Sequence, residues 1–386
     1  MNEWFIYRGQ GEPHDDIARL PAAPRWRAFG GGPPIDPPAG TDVALPRRLG
    51  DLSRATSYRA SSAEIELVNA ALYLRRPLLV TGKPGTGKST LAYNIAHELR
   101  LGPVLKWPVT SRSTREEGLY QYDALARLQD ASRISQLARR GQQPGRPPEP
   151  GGPAGSPGLP GPPGLPGSPG LPGSPGLPAS PARPADAAPW QERRANYDIG
   201  RYIRLGPLGT ALLPYRRPRV LLIDELDKSD IDLPNDLLTV FEDGRYEIPE
   251  LTRIADELPA ADVLTYDGDS VRIQDGRVEC QEFPLVIITS NGERDFPPAF
   301  LRRCLRLRIE MPDRGRLREI VEAHLGTDHA DKTRELIEKF ISRREHGDLA
   351  TDQLLNAIYL MNSQSWPEGR DALVDKVLSY ISQNVE

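Results

Sequence analysis

The sequence predicts an α/β fold, and three stretches predict it. Leu78-Leu79-Val80 is a short apolar run that breaks into Gly82-Lys83-Pro84-Gly85-Thr86-Gly87-Lys88-Ser89-Thr90 and continues as a helical pattern to Leu99. Val220-Leu221-Leu222-Ile223 is a second apolar run, and it ends on two carboxylates, Asp224 and Glu225. Leu285-Val286-Ile287-Ile288 is a third, and it ends on Thr289-Ser290-Asn291. Apolar runs of three or four residues bounded by polar and turn residues read as strands buried on both faces, the pattern of a sheet covered by helices. In such sheets ligands bind outside the carboxyl ends of the strands, where all three runs place their polar residues.

The first stretch fits G-x-x-x-x-G-K-[ST] in its required strand–loop–helix setting. Its glycines let backbone N–H groups converge on phosphate oxygens, and the following helix points its positive end at the same place. Lys88 is placed to reach the β- and γ-phosphates, and the Ser89 hydroxyl to take one position on Mg²⁺. The second stretch supplies the complementary half: Asp224 to hold Mg²⁺ through water, and Glu225 to orient or deprotonate an attacking water. ATP and Mg²⁺ are therefore the expected ligands.

The remaining elements follow in order. Residues 1–54 carry Gly30-Gly31-Gly32-Pro33-Pro34 with little periodicity and read as a largely flexible arm, with Trp4, Phe5 and Tyr7 as candidate anchors. Ser61 and Glu64 have capping-box spacing ahead of a helical pattern. Residues 103–109 read as a strand and 123–140 as a helix. From Gly152 to Gly176 a glycine recurs every third residue, with proline in most third positions. That is the composition of a collagen-like segment. A triple helix joining chains and a solvated loop expansion both fit it, and residues 141–192 count as an insert on either reading. Residues 262–282 read as a hairpin, Pro298 to Cys304 as a short helix, Leu305 to Ile309 as a strand, and residues 313–386 as about four amphipathic helices.

Composition excludes several classes. The net charge of −4 over 386 residues gives no general affinity for nucleic acid or anionic membrane. Cys280 and Cys304 stand far apart without a CxxC partner and read as buried thiols of a reducing compartment. His324 and His329 have no flanking cysteine, so no zinc site is expected. No apolar run has membrane-span length, and Met1-Asn2-Glu3-Trp4 begins no signal peptide, which makes a cytoplasmic location the expectation.

The ordered set of the phosphate loop at 82–89, Asp224-Glu225-Leu226-Asp227-Lys228, Thr289-Ser290-Asn291 and Pro298-Ala299-Phe300-Leu301-Arg302-Arg303-Cys304 resembles the AAA+ ATPases, and among them the MoxR branch. The resemblance covers about residues 55–386 without the insert. It implies a five-stranded parallel sheet flanked by helices over 55–312, then a small all-helical lid over 313–386. It also implies ring-shaped hexamers that turn ATP hydrolysis into remodelling of a client protein, in the MoxR branch often a von Willebrand A-domain protein. Asn291 matches the family's first sensor. Arg303 matches its arginine finger, and Arg302 beside it could share that role. Gln353 stands where the family's second sensor arginine is expected. Tyr120 falls in the loop the family uses to grip partners, and core packing of Tyr120 and Tyr122 fits equally.

Other readings use the same loop. A small-molecule kinase has no use for Asn291 and Arg303. A GTPase needs [NT]-K-x-D, whereas Asp227-Lys228-Ser229-Asp230 begins with Asp and directly follows the acidic strand. A nucleotide-driven motor of a related AAA+ branch and a slow signalling switch or scaffold stand as alternatives.

Overall fold

Five parallel strands set the architecture of the computed structural model, which describes residues 3–38, 56, 58–141, 199–325, 330–344 and 351–362. In spatial order they are Leu305–Arg308, Leu78–Thr81, Leu285–Ser290, Val220–Asp224 and Leu105–Pro108. Register places Thr81 opposite Ser290, Ile288 opposite Ile223, and Pro108 opposite Asp224. The carboxyl ends of the strands therefore form one edge, and the phosphate loop, Glu225 and Asn291 all leave from it. The strand that leads into Asn291 lies between the one that feeds the phosphate loop and the one that ends in Asp224.

The sheet is buried because its strands are apolar along their length: Leu78, Val80, Leu222, Ile287 and their neighbours have essentially no exposure. Helices flank it. Lys88–Glu98 packs on the acidic strand and Ser62–Leu74 on Leu305–Arg308. Ser62–Leu74 starts where the sequence places it, with Ser61 Oγ accepting from Glu64 N–H at 3.4 Å and Glu64 Oε2 accepting from Ser61 N–H at 3.0 Å.

A second, six-stranded sheet runs in the order Tyr120–Tyr122, Ile203–Leu205, Ala260–Leu264, Ser270–Gln274, Arg277–Glu279, Arg245–Glu247. Where the sequence suggested a hairpin at 262–282, three strands form a meander, and its edges recruit short strands from three other parts of the chain. Two-stranded hairpins are marginal alone, and this recruitment depends on tertiary proximity that local pattern does not contain. Tyr122 pairs antiparallel with Ile203 at the start of this sheet. Arg219, fully buried, ties the turn of the meander to the foot of the acidic strand through Asp267 Oδ2 at 2.9 Å.

Residues 3–38 have mostly irregular backbone with two short 3₁₀ turns, yet they are held. Ile6, Tyr7 and Ile17 join the main core. The Glu98 carboxylate, with no exposed side-chain surface, accepts from four backbone N–H groups, those of Arg8, Gly9, Gln10 and Gly11, at 2.6–3.1 Å. Asn69 Oδ1 accepts from Ile6 and Tyr7 N–H, and Tyr7 Oη donates to Asn94. Order in this part of the arm, against the flexibility its composition suggested, comes from side chains of the folded body satisfying its backbone. Residues 39–54 lie outside the described ones.

Three helices, Arg314–Leu325, Ala330–Arg344 and Thr351–Asn362, gather a small core of their own around Leu317, Phe340 and Leu354. Arg316 on the first of them donates to Glu64 and to the Arg59 carbonyl. The expected fourth helix and the collagen-like run fall outside the described residues. By compactness the chain divides into one unit of 1–122 with 200–386 and another of 123–199, in which the described element is the helix Ala124–Gly141. No described helix is long and apolar enough to cross a membrane. Cys280 and Cys304 are buried, and burial pushes both thiols up to about 12.

Candidate active site

The phosphate loop needs its glycines. A Cβ at Gly82 would stand 2.5 Å from the Ile309 carbonyl oxygen. Gly87 has φ +89°, and a Cβ there would press on the Tyr58 ring at 3.0 Å. Gly87 also opens the eleven-residue helix Lys88–Glu98 with no side-chain cap, so the first-turn N–H groups are left to a ligand or to water. Lys83, Pro84 and Gly85 are exposed, Thr90 half-buried, and Thr86 Oγ1 donates to the Lys83 carbonyl at 2.9 Å. The buried Lys88 ammonium folds back on the loop, donating to the carbonyls of Gly82 at 2.7 Å and Lys83 at 2.9 Å. Burial lowers its affinity for a proton, while Asp227, Glu225 and Asp224 pull the other way, and the net value lies below that of an ordinary lysine.

Asp224 is where the separate motifs meet. Its Oδ1 accepts from Ser89 Oγ at 2.7 Å and from Thr289 Oγ1 at 2.9 Å, and its Oδ2 faces Lys106 Nζ at 2.9 Å. Burial alone would raise this carboxyl, but the bonds from Ser89, Lys106 and Thr289 outweigh it and hold Asp224 below the usual carboxylate range. Ser89 and Asp224 are hard oxygen donors within hydrogen-bond reach of each other, a donor set suited to Mg²⁺.

Glu225 leaves the strand in the left-handed region, at φ 61° and ψ 51°. A non-glycine residue held there stores strain, and its backbone N–H is fixed by Thr289 Oγ1 at 2.8 Å. Glu225 Oε1 accepts from Asn291 Nδ2 at 3.3 Å, and Oε2 from Lys228 Nζ at 2.7 Å. Asn291 is positioned in turn by Asp227, whose buried Oδ2 accepts the backbone N–H groups of Asn291 and Glu293. No family model matches this chain, and neither does any curated protein.

The fold thus brings Lys88, Ser89, Asp224, Glu225 and Asn291 to one edge of the sheet. Arg302 and Arg303 lie on the helix Pro298–Arg303. Arg302 is exposed, and Arg303 pairs with Glu242 and donates to the Ala299 carbonyl within the same chain. Tyr120 donates to Glu250 at 2.9 Å and is half-buried in the second sheet. Gln353 is buried in the C-terminal helical group. Two participants carry no signal of their role in the sequence. Thr289 was visible only as part of a motif, and Lys106 only as a polar position in a strand.

Proposed function

We propose that this chain is an Mg²⁺-dependent ATPase of the AAA+ type, nearest its MoxR branch, that works as a ring of copies of itself and spends the hydrolytic cycle on remodelling or activating a partner protein. The observation that carries the proposal is the Asp224 junction. One carboxylate at the end of a buried parallel strand is hydrogen-bonded both to the serine of the phosphate loop and to the strand that delivers Asn291 onto Glu225.

In this reading the loop N–H groups and Lys88 hold the triphosphate, with Lys88 exchanging its carbonyl partners for phosphate oxygens. Glu225, released from Lys228, accepts a proton from the attacking water, and Asn291 fixes the direction of that carboxylate. Ser89 and Asp224 would hold Mg²⁺, which would supply neutralising charge for the transferred phosphoryl group. The C-terminal helices act as the lid, joined to the body through Arg316 and Glu64. Arg303 serves the ATP of a neighbouring copy.

Two variants test the reading. Lys88→Ala should lose ATP binding in an equilibrium titration with a fluorescent ATP analogue. Glu225→Gln should bind the analogue within about threefold of wild type and hydrolyse ATP about 10²- to 10⁴-fold more slowly, the range of a lost general base. Wild-type turnover in Glu225→Gln would remove Glu225 from the mechanism.

A further inference from the structure

Lys106 has no place in the motifs, yet its ammonium lies 2.9 Å from Asp224 Oδ2. It stands on Leu105–Pro108, an edge strand paired in parallel with the acidic strand. Pro108 is opposite Asp224, and Lys106, two residues earlier on the same face, reaches the carboxylate along the strand with its flexible stem. A lysine that only guarded the sheet edge would extend into solvent. This one completes the carboxylate instead, since the Ser89 and Thr289 hydroxyls already occupy Oδ1.

We propose that Lys106 is the resident counter-cation of Asp224, holding the carboxylate in the nucleotide-free protein until Mg²⁺ displaces it. The inference rests on the nucleotide reading above. An ammonium and a divalent cation repel each other strongly at hydrogen-bond range of one carboxylate. Free Mg²⁺ therefore competes poorly with Lys106, whereas Mg²⁺ accompanied by a triphosphate brings compensating negative charge. Lys106 in this way makes metal loading conditional on nucleotide loading.

The test uses the full chain with Lys106→Met, which removes the charge, and Lys106→Arg, which keeps it. The half-saturating Mg²⁺ concentration for binding a fluorescent ATP analogue should fall about two- to fivefold in Lys106→Met, the range set by a partly exposed ion pair, and stay near wild type in Lys106→Arg. Mg²⁺ without nucleotide should raise the melting temperature of Lys106→Met and leave that of wild type unmoved. If Lys106→Met does not fold, Lys106→Gln carries the same expectations. An unchanged or higher half-saturation in the neutral variant, or a Lys106→Arg that behaves like it, overturns the inference while leaving the nucleotide reading intact. A wild-type chain that binds no ATP analogue at any Mg²⁺ concentration overturns both.

Discussion

Thr289 has one hydroxyl and uses it twice, donating to Asp224 and accepting from the backbone N–H of Glu225. A single side chain thus fixes both the charge environment of one acidic residue and the strained backbone of the next. Thr289→Val keeps the shape and removes both bonds, at about 1–3 kcal/mol for partners left buried and unsatisfied. It should also act on acid stability. Asp224 is held below its ordinary value in the folded state, so its contribution is fully present above the ordinary carboxylate range and is lost as pH falls through the lowered value. With one of the bonds that lower it removed, the folded value rises, and the midpoint of acid unfolding, followed by circular dichroism, should move to higher pH. An unmoved acid midpoint would show that Ser89 and Lys106 alone hold the carboxylate down. Asp224, Glu225, Ser89 and Asn291 are legible in the sequence because each belongs to a recognisable local pattern that follows an apolar run. The bonds of Thr289 and Lys106 are not, because they depend on which strands are neighbours, and periodicity is silent about that.

The helix Lys88–Glu98 works at both ends. Its first turn faces the phosphate loop, and its last residue receives four N–H groups from residues 8–11. Glu98→Ala would strand those donors in the interior, and we expect a loss of about 3 kcal/mol or more, a fall in melting temperature of about 5 °C or more for a unit of this size. Glu98→Gln, isosteric but able to accept at only one of its two terminal atoms, should fall between. Equal melting temperatures for all three proteins, measured by scanning calorimetry, would mean the arm is held by Ile6 and Tyr7 alone. The helix itself was plain in the sequence, since its apolar positions recur at helical spacing. The order of the arm was not, because its backbone is satisfied by side chains about sixty to ninety residues away and no ladder or periodic face announces it. The six-stranded sheet is not legible in the sequence for a related reason: strands of three residues, such as Tyr120–Tyr122 and Arg245–Glu247, are too short to show alternation.

At the scale of the molecule, the proposed ring makes a demand on Arg303, which within one chain is committed to Glu242. A finger supplied from a neighbour is worth about 10³–10⁵ in rate. Arg303→Ala should therefore bind ATP and barely turn it over, and Lys88→Ala should not bind it. Mixed together, the two should recover turnover at interfaces where Arg303 of one copy faces the intact loop of the other. A mixture that co-assembles, as judged by light scattering, and stays inactive would rule out Arg303 as that finger and point to Arg302. The pairing of Tyr122 with Ile203 bears on the same molecule in another way. The chain leaves the main unit and re-enters it through two adjacent antiparallel strands, so the stem is closed once, whatever lies between. Chain closure grows only with the logarithm of length, about 0.6 kcal/mol for each doubling. Repeat expansion or contraction between these strands should thus be nearly neutral for the proposed nucleotide site, which makes this position a tolerant point for genetic insertion.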